Sequence, residues 1–287
     1  MFLLHGPGRR AFVPGRPSSV WGWPQAWARI SRVKGPRPTS ALAGLLSGLL
    51  LCGAVCQAAR AAEGLYLTWG DCALGTSAHD QSNACDTNLD GQRLFCAFRM
   101  PFAVDSVLGL ELVVDLQHSD AAMPAWWMFA PGGCREGYLR PSFDFTNQSS
   151  CRDFLLGRGS GGLQDYTVGQ PRGGANQARI RIAVAMLPSF GYATLNATDL
   201  YYAAELTILN GFTTGTSACD GCADPACLVL NSILVRRQPG AVGGDIYLTA
   251  PGPGDANFAT WQGGAGANCS TVPVRAMTWG RVKGLYR

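Results

Sequence analysis

The sequence predicts an all-β fold, an antiparallel β-sandwich with little helix that is stapled by disulfides and could be wound as a jelly roll. Three observations point there. Apolar residues recur with period two in Leu110, Leu112, Val114 and Leu116, in Ile180, Ile182, Val184 and Met186, and in Tyr202, Ala204, Leu206 and Ile208; such alternation marks strands with one buried and one wet face. Glycine- and proline-rich turns separate the runs, at Asp90-Gly91, 131–133, 157–162, 173–174 and 251–254. Helical periodicity is confined to Ser150–Leu156 and Trp279–Tyr286, each at most two turns. Many short strands with almost no helix read as a sandwich.

Taken in order, residues 1–33 are rich in Arg, Trp, Pro and Gly without usable periodicity. They read as an untranslated or disordered extension, with translation starting at a non-Met codon near Val33. Residues 34–61 read as a signal peptide. Lys34 and Arg37 precede the uncharged apolar run 41–56, and Ala59-Arg60-Ala61 supplies a small-x-small cleavage site. That run is shorter than the roughly 20 residues of a membrane-spanning helix, so no span is expected after cleavage. Residues 62–277 form one β-sandwich domain and 278–287 a basic, aromatic tail. Further strands are expected at Gly64–Trp69, Arg93–Arg99, Ala125–Phe129, Leu228–Arg236, Asp245–Thr249 and Asn257–Gln262.

Charge excludes one class of partner. Residues 62–287 hold 15 basic and 19 acidic residues, a net charge near −4, and one lysine, Lys283. A nucleic-acid binder replaces phosphate counterions with basic side chains, and this chain has few to offer.

Export would place Cys72, Cys85, Cys96, Cys134, Cys151, Cys219, Cys222, Cys227 and Cys269 in an oxidising compartment, where disulfides persist. Nine is odd. Cys96, inside the apolar run Leu94–Phe98, is the expected free thiol. Proximity pairs Cys72 with Cys85 and Cys134 with Cys151, leaving Cys219, Cys222, Cys227 and Cys269 for two bonds of open connectivity. A competing reading makes those four a zinc site, but the second Cys-x-x-Cys that such sites usually carry is missing.

Two constellations could bind ligands. Asp86, Asn88 and Asp90, followed by Gly91, match the first half of a calcium loop, although the twelfth position is Ala97 instead of Glu. The same segment also makes a hairpin turn without metal. Trp126 and Trp127, read as adjacent strand residues, should point to opposite faces, leaving one ring free to stack on a sugar. Packing in the core is the ordinary alternative. His79 and His118 have no nucleophile elbow to serve. Glu111 and Asp115 lie on what should be the wet face of one strand, so a paired-carboxylate hydrolase is the remaining catalytic option.

The segments Leu67–Cys72, Cys219–Ile233 and Thr278–Arg287, the last reading Thr-Trp-Gly-Arg-Val-Lys-Gly-Leu-Tyr-Arg, resemble a group of uncharacterised exported proteins of environmental bacteria. The resemblance implies export and a stapled β fold, with no activity attached. The tail itself combines Arg281, Lys283 and Arg287 with the anchors Trp279 and Tyr286. It reads as a docking or sorting segment, a strand completing a sheet, or a segment packed on its own domain. The functional expectation is an exported, non-catalytic protein acting by surface contact with a protein or glycan partner at the cell envelope or outside the cell. A carbohydrate-binding module is the first alternative and a secreted hydrolase the second.

Overall fold

A computed structural model of the chain describes residues 63–72, 79–254 and 256–269. The expected signal peptide, the extension before it, and the tail with its short helix lie outside the described residues. The elements are β1 (Gly64–Trp69), β2 (Asp80–Gln81), β3 (Gly91–Arg99), β4 (Val104–His118), β5 (Leu139–Ser142), β6 (Gly159–Val168), β7 (Gln177–Met186), β8 (Ala193–Leu195), β9 (Leu200–Leu209), β10 (Ala226–Arg237), β11 (Ile246–Leu248) and β12 (Phe258–Trp261). Three single 3-10 turns are the only helical elements among the described residues. None is long or apolar enough to cross a membrane.

The strands form two sheets. One has four strands in the order β1-β3-β9-β5; the other has eight, in the order β2-β12-β10-β4-β7-β6, with β11 added to β10 and β8 to β4. All pairings are antiparallel except the two-residue one between β2 and β12. β3 pairs with β9 in the small sheet and β4 with β10 in the large one. Two antiparallel partners therefore cross between the sheets together, as in the winding of a jelly roll.

The main core lies between the sheets. Leu65, Leu67, Leu94, Cys96 and Phe98 from the small sheet meet Leu110, Leu112, Val114, Ile180, Ile182, Leu228 and Ile233 from the large one. In β7 the alternation holds as expected, every second residue from Ala178 to Met186 being buried. It fails in β9, where Tyr202 and Ala204 belong to different cores. A register shift leaves Ala203 unpaired between Tyr202 and Ala204, and the extra residue of a bulge turns the face over. Tyr202 then joins Tyr66, Phe95, Ala97 and Phe145 in a second, smaller core on the far side of the small sheet. Its ring stacks on Phe145 at 4.6 Å and 8°. The small sheet is thus covered on both faces, whereas no described residues cover the groove on the outer face of the large sheet.

Four disulfides staple the described residues: Cys72–Cys151, Cys85–Cys222, Cys134–Cys219 and Cys227–Cys269. The expected pairings of Cys72 with Cys85 and of Cys134 with Cys151 are therefore wrong. Sequence separations of 79, 137 and 85 residues for the first three bonds show that sheet pairing, and not proximity along the chain, brings these thiols together. Cys219, Cys222, Cys227 and Cys269 are all consumed in disulfides, so no four-thiolate zinc set forms. Cys96 is free and buried, as expected. Four such bonds fit an oxidising, extracytoplasmic environment.

Ser150–Leu156 is a turn instead of a helix. Cys151 is drawn into its bond with Cys72, and Arg152 exchanges backbone hydrogen bonds with Leu200 and Tyr202. The Asp153 carboxylate then accepts from the amides of Leu155, Leu156 and Gly157, closing the turn.

Candidate functional site

The open face of the large sheet carries a groove that runs across β6, β7, β4, β10 and β11. It consists of two adjoining hollows of about 390 and 330 Å³ that share Glu111, Gln164 and Ala183. Small side chains set its depth. Gly109, Gly161, Ala183 and Ala185 line the floor, and a Cβ at Gly109 or Gly161 would fall 2.1 Å from a carbonyl oxygen of β7. The strands approach so closely there that only glycine fits. Val113 and Leu234 add apolar surface. A register shift between Leu230 and Ser232 leaves Asn231 as an extra residue, which turns Leu234 and Arg236 onto this face while Ile233 and Val235 stay in the core.

The walls are polar. Arg236 bonds Glu111 at 2.7 Å and Asp245 at 2.7 Å. Hydrogen bonds to both carboxylates hold the guanidinium above its ordinary pKa. Arg181 is exposed beside Gln164, and Tyr247 is 45 % exposed. Further along the same strands, Asp115 faces outward but is only 6 % exposed. Arg179 grips it with bonds of 2.7 and 2.9 Å, and Asn231 donates to it at 2.6 Å. Asp115 is therefore not the wet-face carboxylate expected. Glu111, Asp115 and Asp245 are each held by arginine and are not paired with one another, an arrangement that neutralises charge and does not set up an acid and a base.

A smaller cleft at the far end of the face is lined by Gln117, Asp115, Val229, Cys227 and Asn268. The Cys227–Cys269 disulfide fixes the last described residues there.

Trp126 and Trp127 do not lie on a strand. They occupy a 3-10 turn after Pro124, and both are fully buried. Successive residues of such a turn are roughly a third of a turn apart, so both rings can face the same core. They meet edge to face at 4.9 Å and pack on Trp261 at 5.0 and 5.6 Å. Neither ring is available to stack on a sugar. The sequence reading missed what sits against them, Arg135, which is fully buried with its guanidinium 3.6 Å from the centre of the Trp126 ring. It donates to the carbonyls of Trp126 at 2.9 Å, Gly211 at 3.1 Å and Leu209. Its place directly after Cys134 was the only available hint.

In the calcium-like segment, Asn88 Oδ1 accepts from the amides of Thr213 at 2.7 Å and Thr214 at 2.9 Å, and Nδ2 donates to the Thr214 carbonyl. Both lone pairs of that oxygen are committed, so it cannot serve as the middle ligand. Asp90 adopts a positive φ of 61° at the turn into β3, the hairpin role that its Asp-Gly sequence allowed. The group among the described residues that could offer three metal ligands is another one: His118, Asp120 and Asp224, whose donor atoms lie within 4.8 Å of one another. There Nδ1 of the buried His118 ring already accepts the Asp120 amide at 3.1 Å, so the proton sits on Nε2, which is buried without a partner.

No family model, curated protein or solved structure matches this chain.

Proposed function

We propose that this is an exported, non-catalytic β-sandwich that works by surface contact, in a structural or adhesive role at the cell envelope or outside the cell. Its working surface is the groove on the outer face of the large sheet. The observation that carries the reading is the asymmetry of the sandwich. A second core covers the small sheet, while the large sheet keeps a groove with an apolar floor and polar walls open to solvent. An apolar floor with a few polar groups along its walls is the ordinary composition of a binding groove. The mutual neutralisation of Glu111, Arg236 and Asp245 supports contact over catalysis, and the four disulfides support a life outside the cytoplasm.

The test is co-sedimentation of the purified protein with bacterial envelope fractions, with Ala183→Trp filling the groove. Saturable binding that weakens at least about tenfold in the variant is expected. Equal binding by both proteins, or no binding by the wild type, overturns the reading.

A further inference from the structure

The groove also has a candidate occupant within the chain. We infer that residues 270–287 dock along the outer face of the large sheet in cis, filling the groove until a competing partner displaces them. The inference rests on the reading of that face as a contact surface and names what covers it.

Three observations support it. The first is the tether. Cys269 is bonded to Cys227, and Asn268 lines the cleft beside Asp115, Gln117 and Val229 on this same face. The 18 residues that follow therefore start on the sheet they are proposed to cover. From Cys227 to Leu234 is seven residues along β10, or roughly 23 Å at the rise of a strand. An extended segment of 18 residues reaches about 60 Å, enough to run the length of the face.

Charge is the second observation. The chain from 62 to 269 carries 11 arginines, no lysine and 19 acids, a net charge of −8 with His neutral. The segment from 270 to 287 carries Arg275, Arg281, Lys283 and Arg287 and no acid. A +4 segment tied to a −8 body is attracted to it, most strongly at low salt.

The third is the pattern of the segment. Read as an extended chain, Val272, Val274, Ala276, Val282 and Tyr286 fall on one side, and Arg275, Arg281, Lys283 and Arg287 share the other with Met277, Trp279 and Leu285. The apolar side suits a floor of Val113, Ala183, Ala185 and Leu234. Long basic side chains on the other side can bend to neighbouring acids; Asp165, in register with Arg181 of the groove, is exposed and forms no ion pair among the described residues.

The test uses the full exported chain. Val282, on the side that faces the floor, is replaced by the photo-cross-linking residue p-benzoylphenylalanine, and the cross-linked peptides are identified by mass spectrometry. In parallel, the rate of trypsin cleavage after Arg275 and Arg281 is measured in wild type, in Ala183→Trp and in the more exposed Ala185→Trp. Cross-links within one chain to β4, β7 or β10 are expected. Tryptic cleavage of the tail should accelerate at least about tenfold when the groove is filled, and severalfold in 1 M salt. Cross-links between chains would assign the groove to a second copy and overturn the inference. So would cross-links to the small sheet, or tail cleavage unchanged by both variants. The contact reading fails separately: if Ala183→Trp frees the tail yet binds envelope fractions as wild type does, the docking stands and the groove is not the contact surface.

Discussion

Replacing Arg135 tests the energetics of this fold at its most loaded point. The guanidinium is fully buried among Trp126, Phe129 and Tyr138, and no carboxylate pairs with it among the described residues. Burial pushes its pKa down to about 9, so it remains charged at neutral pH although burial disfavours the charge. Three carbonyl acceptors offset that cost, each bond from a charged donor contributing about 1.5–3 kcal/mol. The Trp126 face at 3.6 Å adds about 2 kcal/mol at a desolvated site. These gains depend on the planar fork of arginine reaching three acceptors at once.

The substitutions separate these contributions. Arg135→Ala removes the fork, leaves carbonyls of Trp126, Leu209 and Gly211 short of a donor, and opens a cavity, so a loss of about 4 kcal/mol is expected. Arg135→Lys keeps the desolvated charge but cannot span the three oxygens, and should lose about 3 kcal/mol. Arg135→Met fills the space with no charge to desolvate and should be the mildest, at about 2 kcal/mol. Guanidinium chloride unfolding of the oxidised protein, followed by tryptophan fluorescence, gives all three values provided the slope is unchanged. A loss under about 1 kcal/mol for Arg135→Ala, or a lysine variant as stable as wild type, would refute the argument that the fork pins this core.

Two further predictions concern titration. Burial lowers the pKa of His118 below its ordinary 6.5, against the opposing pull of Asp120 and Asp224. The unfolded chain therefore binds the proton more readily than the folded one. The stability from this group is complete above pH 6.5 and is lost as pH falls toward the lowered value, at up to about 1.4 kcal/mol per pH unit. His118→Asn keeps an acceptor for the Asp120 amide, and its melting temperature should fall less than that of wild type between pH 7 and 5; parallel slopes would sink the assignment. Cys96 is fully buried and its pKa is raised to about 12 by desolvation, leaving about one thiolate in ten thousand at pH 8. Iodoacetamide should leave the native protein untouched and label a single thiol in denaturant, and rapid labelling of the native protein would show that the β3 core opens.

The elements that were legible in the sequence are those whose signal is local. β7 alternates cleanly because one face meets the core and the other meets water. Cys96 could be recognised as a free thiol because its neighbours Leu94, Phe95, Ala97 and Phe98 already described a strand. β6 was lost to the same rule that found the turns. Its start, Gly-Ser-Gly-Gly, reads as a loop, but Gly161 is in a strand because β7 passes too close for a side chain. The glycine signals backbone approach there, and nothing nearby in the sequence distinguishes that use from a turn.

The candidate site depends on information of the other kind. Pairing Cys85 with Cys222 requires knowing that β2 joins β12, the only parallel pair of strands among the described residues. The orientation of Trp126 and Trp127 depends on a 3-10 turn, in which adjacent rings can share a core that a strand would divide. The groove itself required two bulges. The one at Ala203 sends Tyr202 to the back of the small sheet and so closes that face, and the one at Asn231 brings Leu234 and Arg236 out onto the face that stays open. A bulge adds one residue, reverses every side chain after it, and leaves the apolar count of the strand unchanged. Which face of this sandwich meets solvent is therefore decided by two residues whose identity gives no sign of it, and the proposed contact surface follows from their placement.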